Sequence, residues 1–525
     1  MNIRKFLLLV AIIVPMAVMA TEVSQERAAA TAKALMAERV ENFEGEVRSV
    51  KTIWSGGQKA YHVVQFAPAG WMLISADDQS DPLIGYSPDD SFPEEEDMPE
   101  NMQSLMRWYS DQVVNNARFN GQHHLGWELD KRPAMARRYA ASSSKVEPLI
   151  KVNWNQTGVF QKYCPKTNDG QAVVGCVAVG MAQAMSVAKW PDRPVGEFGY
   201  QHPTYGSIYV NYDAEPAYDW SAILKGSNAN DDVARLLYHC GVSVSMDYGV
   251  NGSGTQTAYI ASALVRNFKY PQSVRFYNRS SFKDKDEEWT NLIVTELKEG
   301  RAVAYSGHDP VKNYGHCFNL DGFDGTTAFH VNWGWAGHGN GYFQLNGLKD
   351  ATMNMNYTDG QGVVVGIRPP SDKPSNIYLS NNTIQAMKPA GSVVGAVSVE
   401  SEAEDPTYEF KVEGEYNVVF HMNMPAPFKV VDGYLVTTDE LSLDDGDYNI
   451  DITATNTKNN ASVTRHFTIR VTETDGINLV GTTPDVIGED VYNLKGMRVN
   501  TAAKGLNIIR QRMTDGSTKT VKVIR

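Results

Sequence analysis

The stretch Gly175-Cys176-Val177-Ala178-Val179-Gly180-Met181-Ala182-Gln183-Ala184-Met185 is the part of the chain best suited to covalent chemistry. Val177, Met181, Ala184 and Ala188 recur at helical spacing and mark one apolar helix face. Gly175 lets the backbone turn sharply into that helix, which puts Cys176 in its first turn. Free N–H groups and the helix dipole there favour a thiolate, the nucleophilic form of cysteine. Cysteine as a class is more often a small buried hydrophobe, so the reading needs a partner base. His316 supplies one. It stands 140 residues after Cys176, in Gly315-His316-Cys317-Phe318-Asn319-Leu320-Asp321-Gly322-Phe323, at the start of an apolar strand. A histidine in this role takes the thiol proton and later returns it to the leaving amine. Asn332, in His330-Val331-Asn332-Trp333-Gly334-Trp335, could accept a hydrogen bond from the His316 ring and fix its tautomer. The indole of Trp333 or Trp335 would cover that bond from water. Gln156, twenty residues before Cys176, offers a side-chain amide as oxyanion donor beside the Cys176 N–H.

No H-E-x-x-H or C-x-x-C pair occurs, so nothing supports a zinc site, and no cofactor is expected beyond a reduced thiol. Cys164 precedes Pro165 in a polar stretch with no helix after it and ranks below Cys176 as a nucleophile; Cys240 reads as core. Cys317, next to His316, is either an inert core thiol or an extra target for oxidation. Gly315, Trp335 and Tyr248 are the candidate substrate-binding residues. Tyr248 opens the Gly-rich loop Tyr248-Gly249-Val250-Asn251-Gly252-Ser253-Gly254-Thr255, which could line a cleft. It is not a phosphate loop, because no G-K-[ST] follows.

The elements that must position these residues belong to a chain of 525 residues, enough for about three to four domains. A net charge of −13 argues against generic nucleic-acid binding, and four cysteines are too few for a disulfide scaffold. Arg4 and Lys5, the apolar run Phe6–Val18 and the small residues up to Ala20 have the form of a secretory leader cut after Ala20. The expected location is therefore secreted or at the cell surface, with no membrane span. Residues 21–130 form an α+β unit with a helix over 25–40, strands 61–66 and 70–75, and a helix from Pro99 through Val114. Residues 131–146 are small, polar or basic and read as an exposed linker, where proteases cut. The largest segment, 147–368, carries the candidate chemistry. Strands alternate with turns over 376–473, the pattern of a β-sandwich. Residues 474–525 add strand-like Leu506–Ile509 and Val521–Ile524.

A cysteine followed by a histidine after about 130–150 residues is the arrangement of papain-like peptidases. Trp154-Asn155-Gln156, Tyr163-Cys164-Pro165, Gly175-Cys176-Val177-Ala178, Met181-Ala182-Gln183, Gly315-His316, Asp321-Gly322 and His330-Val331-Asn332-Trp333-Gly334-Trp335 together resemble the streptopain family of secreted bacterial cysteine peptidases. Across 147–368 the resemblance implies a papain-like fold, a Cys176–His316 dyad and endopeptidase activity on proteins or peptides. Gly70-Trp71-Met72-Leu73-Ile74-Ser75-Ala76-Asp77-Asp78 and Leu83-Ile84-Gly85-Tyr86-Ser87 resemble that family's inhibitory propeptide, an intramolecular partner that would make 131–146 the activation linker. The expected architecture is α+β: a papain-like catalytic domain behind an α+β inhibitory prodomain and ahead of a C-terminal β-sandwich. In that last region Ile377-Tyr378-Leu379-Ser380, Pro389–Gly395 and Tyr448–Ala454 resemble a bacterial cadherin-like repeat, with Asn456 breaking the usual calcium pattern, and Val491–Val499 with Lys504-Gly505-Leu506 resembles a C-terminal sorting tail. Rival functions are a cell-wall amidase or transglutaminase using the same thiol, and a surface adhesin.

Overall fold

The computed structural model describes residues 21–524 apart from 99, 119–122, 129–144, 226–229, 310–313, 346–359, 404, 418–421, 439–445, 473–485, 493–497, 500–505 and 514–517. The leader and most of the expected activation linker lie outside the described residues. The chain divides into two units at Pro370/Ser371.

In the first unit, helix α1 (Gln25–Arg39) starts where Ser24 caps the N–H of Arg27, and it buries Ala28, Ala32, Leu35 and Met36. Its length matches the helix expected over 25–40. It lies on the antiparallel meander β1 (Glu46–Ser55), β2 (Gln58–Ala67), β3 (Trp71–Ser75) and β4 (Leu83–Ser87). Strands β2 and β3 were expected from their apolar runs. Strand β1 was not, because its charged residues Glu46, Arg48 and Lys51 face water and only the other face packs. Helix α2 (Glu100–Ala117) buries Met102, Met106, Tyr109 and Val113.

The chain then forms small hairpins β5 (Lys166–Thr167) with β6 (Gly170–Gln171) and β7 (Glu197–His202) with β8 (Gly206–Asn211), separated by helix α3 (Cys176–Ala188). Helices α4 (Trp220–Ile223), α5 (Asp231–Ser243) and α6 (Tyr259–Asn267) follow, then β9 (Arg275–Asn278) and α7 (Asp286–Lys298). Strands β10 (Val303–Asp309), β11 (Tyr314–Phe323), β12 (Ala328–Asn332), β13 (Gly341–Gln344) and β14 (Gly362–Val365) complete the unit. They join β1 to β4 in one ten-stranded sheet of order β1-β2-β3-β4-β13-β12-β11-β10-β14-β9.

Side-chain alternation along β11 explains how the sheet serves the site. Cys317 packs with Val177, Ala178, Met181 and Met185 of α3 in one core. Phe318 and Leu320 point the other way, into a second core with Tyr305, Trp333 and Phe343. That second core also holds Trp71, Met102, Met106 and Tyr109, so the segments expected as separate prodomain and catalytic domain share one hydrophobic interior. The seam is the pairing of β4 with β13. Tyr86 stacks on Tyr342 with ring centroids 5.0 Å apart, and Gln344 donates to Leu83 O at 2.7 Å. Gly85 is needed there, since a Cβ would approach Phe343 Cδ1 to 2.7 Å.

The second unit pairs a sheet of β15 (Asn376–Leu379), β17 (Val393–Glu400), β21 (Tyr434–Thr437) and β20 (Phe428–Val431) with a sheet of β16 (Thr383–Gln385), β23 (Ser462–Thr472), β22 (Gly446–Asn456), β18 (Tyr408–Asn417) and β19 (Met422–Pro425). Val394, Phe428 and Leu435 from one sheet and Ile450, Ile452 and Ile469 from the other share a single core, as the sandwich reading expects. Strand β18 continues through Asn417. A further sheet of order β25-β24-β26-β27 is built from β24 (Val486–Tyr492), β25 (Arg498–Val499), β26 (Leu506–Met513) and β27 (Thr518–Ile524).

Two buried histidines carry a pH consequence. Burial, helped by nearby Arg235, pushes His239 down to about 3. Its Nδ1 lies 2.7 Å from the Tyr218 hydroxyl, and Glu215, 3.5 Å from Nε2, does not offset the burial. Burial also lowers His62, whose Nε2 meets Val23 O at 2.9 Å. Both charge less easily when folded than when unfolded. Their contribution is therefore complete above pH 6.5 and drains away as pH falls below it, by at most about 1.4 kcal/mol per pH unit for each. Thermal unfolding between pH 7 and pH 4 should show the first unit losing stability on the acid side, and His239→Gln should flatten that slope. An unchanged slope would contradict a neutral buried His239.

Candidate active site

Gly175 enters α3 at φ +91°, a region that L side chains rarely adopt, and a Cβ there would approach Met246 Sδ to 2.7 Å. Glycine is therefore required for the turn that delivers Cys176 to the helix N-terminus. Cys176 is the one cysteine that is not buried. Its Sγ accepts a hydrogen bond from the backbone N–H of Cys317 at 3.5 Å, so the His316–Cys317 backbone lies against the thiol. A donor on sulfur and the open N–H groups of the first helical turn both favour the thiolate. His316 is 8% exposed and pairs in register with Gly307 of β10.

Gln156 is brought to the same place. Its carbonyl accepts from Val174 N at 2.9 Å, two residues before Cys176, and its own N–H donates to Asn155 Oδ1 at 2.7 Å. It belongs to a segment whose alternate carbonyls tie the site together. Val152 O accepts from Asn332 Nδ2 at 3.3 Å and from Gln183 Nε2 at 3.5 Å. Trp154 O accepts from Ala336 N at 2.9 Å.

Asn332 departs from its expected role. Its Oδ1 accepts from Gln183 Nε2 at 3.2 Å and from Gly334 N at 3.1 Å, which uses both lone-pair directions. The side chain thus joins an amide network with Gln183 and Asn319, whose Nδ2 donates to Gln183 Oε1 at 3.0 Å. The cause is register: Asn332 sits opposite Asn319, on the strand face toward α3, and not opposite His316. Sequence reasoning missed this network. The available signal was Gln183, a polar residue on an otherwise apolar helix. A second missed pair, Asp321 Oδ1 and His330 Nδ1 at 2.6 Å, anchors the incoming chain, since Asp321 Oδ2 also accepts from Ile150 N at 2.9 Å.

The substrate-side candidates separate. Trp335 is partly exposed and packs on the second core, while Trp333 is 1% exposed inside it. Gly315 is exposed on β11 near His316. Tyr248 is corrected: it is 3% exposed, stacks on Tyr238 and reaches under Gly241 of α5, so it is core and cannot contact a substrate. The other cysteines are poor nucleophiles. Burial pushes the Cys164 thiol up to about 12 and raises those of Cys240 and Cys317 as well. Among the described residues, no group of three or more His, Cys, Asp or Glu is placed to hold a metal.

Helix α2 presses on the loop after Asn332 and on β13. A Cβ at Gly339 would collide with Met102 of α2, and the Tyr109 hydroxyl donates to Gln344 O.

Comparison with known proteins agrees with this layout. Residues 154–343 match the Peptidase C10 family, and residues 20–113 match the Spi protease inhibitor family. Streptopain of Streptococcus pyogenes is 29% identical over 343 residues, covering 59% of this chain and 80% of its own. The thiol protease/hemagglutinin PrtT of Porphyromonas gingivalis is 31% identical over 331 residues, and the chain spans only 37% of its length. Among solved structures, a prointerpain A fragment from Prevotella intermedia superposes with a TM-score of 0.50 at 26% identity, covering 61% of this chain and 98% of that one. The chain therefore carries a segment that matches the Peptidase C10 family behind a segment that matches the Spi protease inhibitor family.

Proposed function

We propose that the chain is a secreted cysteine endopeptidase made as an inactive precursor. The observation that carries this is the Cys176 thiol at the mouth of α3 with the backbone of the His316 segment 3.5 Å away. The Cys176 sulfur attacks the carbonyl carbon of a substrate peptide bond. His316 takes the thiol proton, then gives it to the leaving amine; water releases the acyl group by the same path reversed. The Cys176 backbone N–H and the Gln156 side chain stabilise the oxyanion. Asn332 acts on the framework beneath the site, not on the His316 ring. Trp335 and Gly315 border the substrate. The chemistry needs a reduced thiol and no cofactor.

Residues 21–130 are the inhibitory prodomain, 131–146 the linker cut on activation, 147–368 the catalytic domain, 376–473 a cadherin-like sandwich and 474–525 a sorting tail. The segment before Thr21 is an export leader. Among the described residues no helix is long and apolar enough to cross a membrane. The precursor, incubated with a thiol reductant and casein, should trim itself within 131–146 and then cut casein, as read by mass spectrometry. An inert protein, even after another protease removes residues 21–146, would sink the reading. Release of cell-wall fragments with casein untouched would replace it with an amidase.

A further inference from the structure

Asp78 is a carboxylate with a side chain only 2% exposed, and its donors converge from three segments. The backbone N–H of Thr21 donates to Oδ1 at 2.7 Å, and the Thr21 hydroxyl to Oδ2 at 3.0 Å. Arg27 of α1 donates to Oδ2 at 2.8 Å, and His123 Nδ1 lies 3.2 Å from the same oxygen. Burial pushes the Asp78 carboxyl up, but the bonds from Arg27, Thr21 and His123 outweigh it and hold the group low. Thr21 to Val23 run as a short strip along Ala76 to Asp78. Val23 N donates to Ala76 O at 2.8 Å, Asp78 N donates to Thr21 O at 3.2 Å, and Glu22 bridges Asp77.

The charges around this point do not balance. Asp77 and Asp78 are adjacent carboxylates, and burial raises Asp77. Among the described residues the fixed cation bonded to Asp78 is Arg27, and Lys59 pairs with Glu22. The atom that touches Asp78 Oδ1 is the nitrogen that becomes a chain terminus if the leader is removed after Ala20. We propose that Asp78 is a docking site for the α-ammonium group of Thr21, and that this pair locks the first strip of the inhibitor domain only in the processed chain.

The inference rests on the export reading given above. In the processing step, a signal peptidase adds water across the Ala20–Thr21 peptide bond. The C–N bond breaks, the leader departs with a carboxylate, and the amine takes a proton at neutral pH. One amide N–H then becomes a charged group with three donors, and charge-assisted bonds are roughly twice as strong as neutral ones. The pairing raises the ammonium pKa above its ordinary value of about 7.7–8.0. The added stability is thus present below pH 8 and lost as pH rises through the raised value.

The test compares three full-length proteins in a Cys176→Ala background. One begins at Thr21, one carries Gly-Ser before Thr21, and one begins at Thr21 with Asp78→Asn. At pH 7 the first should unfold roughly 2–4 °C above the second, and the difference should vanish at high pH. Its α-amine should react with an acylating ester about ten times more slowly than the amine of the Gly-Ser protein. Asp78→Asn should abolish both effects; if it fails to fold, the first two proteins still decide. Equal melting and equal labelling would overturn the docking site. Intact mass of the protein exported by a bacterial host checks the other premise. A first residue of Thr21 supports the proposal, and any other overturns it at the export step while leaving the melting comparison to judge the site by itself.

Discussion

Cys176→Ala is expected to lower kcat/KM on casein by about 10⁴- to 10⁶-fold and to leave the precursor uncut. The substitution removes one sulfur from a partly exposed side chain at a helix N-terminus. It creates little cavity and leaves the Gly175 turn intact, so the fold should not change. What disappears is the nucleophile, and no other thiol can replace it: Cys164, the nearest rival in sequence, is buried with its thiol pushed up to about 12. Cys164→Ala therefore serves as the control and should keep near-normal activity. The readout is steady-state cleavage of casein by protein freed of residues 21–146, beside intact mass of the untreated precursor. Self-trimming by purified Cys176→Ala would remove Cys176 from the chemistry.

Trp333→Ala should cost about 3–5 kcal/mol of stability in the first unit, the range for deleting a fully buried large aromatic. Trp333 is 1% exposed, packs edge-on against Phe343 at 5.4 Å and lies tilted against Phe318 at 5.0 Å. Its Nε1 donates to Gly339 O at 2.9 Å, and its backbone N–H donates to Asn340 Oδ1 at 3.1 Å. One side chain therefore fills the second core and pins the 333–340 loop against which α2 rests. Thermal and urea unfolding in the Cys176→Ala background measure the loss. A change below about 1 kcal/mol would mean that the loop is held by other contacts.

Much of this site could be read from the chain itself, for a physical reason. Cys176, His316 and Gln156 sit in short segments whose local composition dictates their setting: a glycine turn before an apolar helix, a glycine before an apolar strand, and an approach anchored by Trp154. Asn332 and Tyr248 were misjudged because their roles depend on partners distant in sequence. Asn332 is fixed by its register opposite Asn319, and Tyr248 by the space beneath Gly241. Strand β1 escaped notice because a half-wet strand carries charge on one face. The single interior shared by the inhibitory and catalytic segments also escaped notice, since composition says nothing about which strand pairs with which. The sandwich strands were easier, because apolar and polar residues alternate along them at period two.

The pairing of β4 with β13 has a further effect on activation. A cut within the linker leaves the described pairing of β4 with β13 in place, so that seam still has to part before the two segments separate. When residues 83–87 finally depart, β13 turns from an interior strand into a border strand. It keeps β12 on one side and shows unpaired N–H and C=O groups on the other. Tyr342 loses its stacking partner Tyr86, and Phe343 its tilted ring contact with Trp71, at the same moment. A row of open backbone groups flanked by bare aromatics is a template for self-association. Enzyme freed of residues 83–87 is therefore expected to self-associate more readily than the precursor, which sedimentation of both at rising concentration would show.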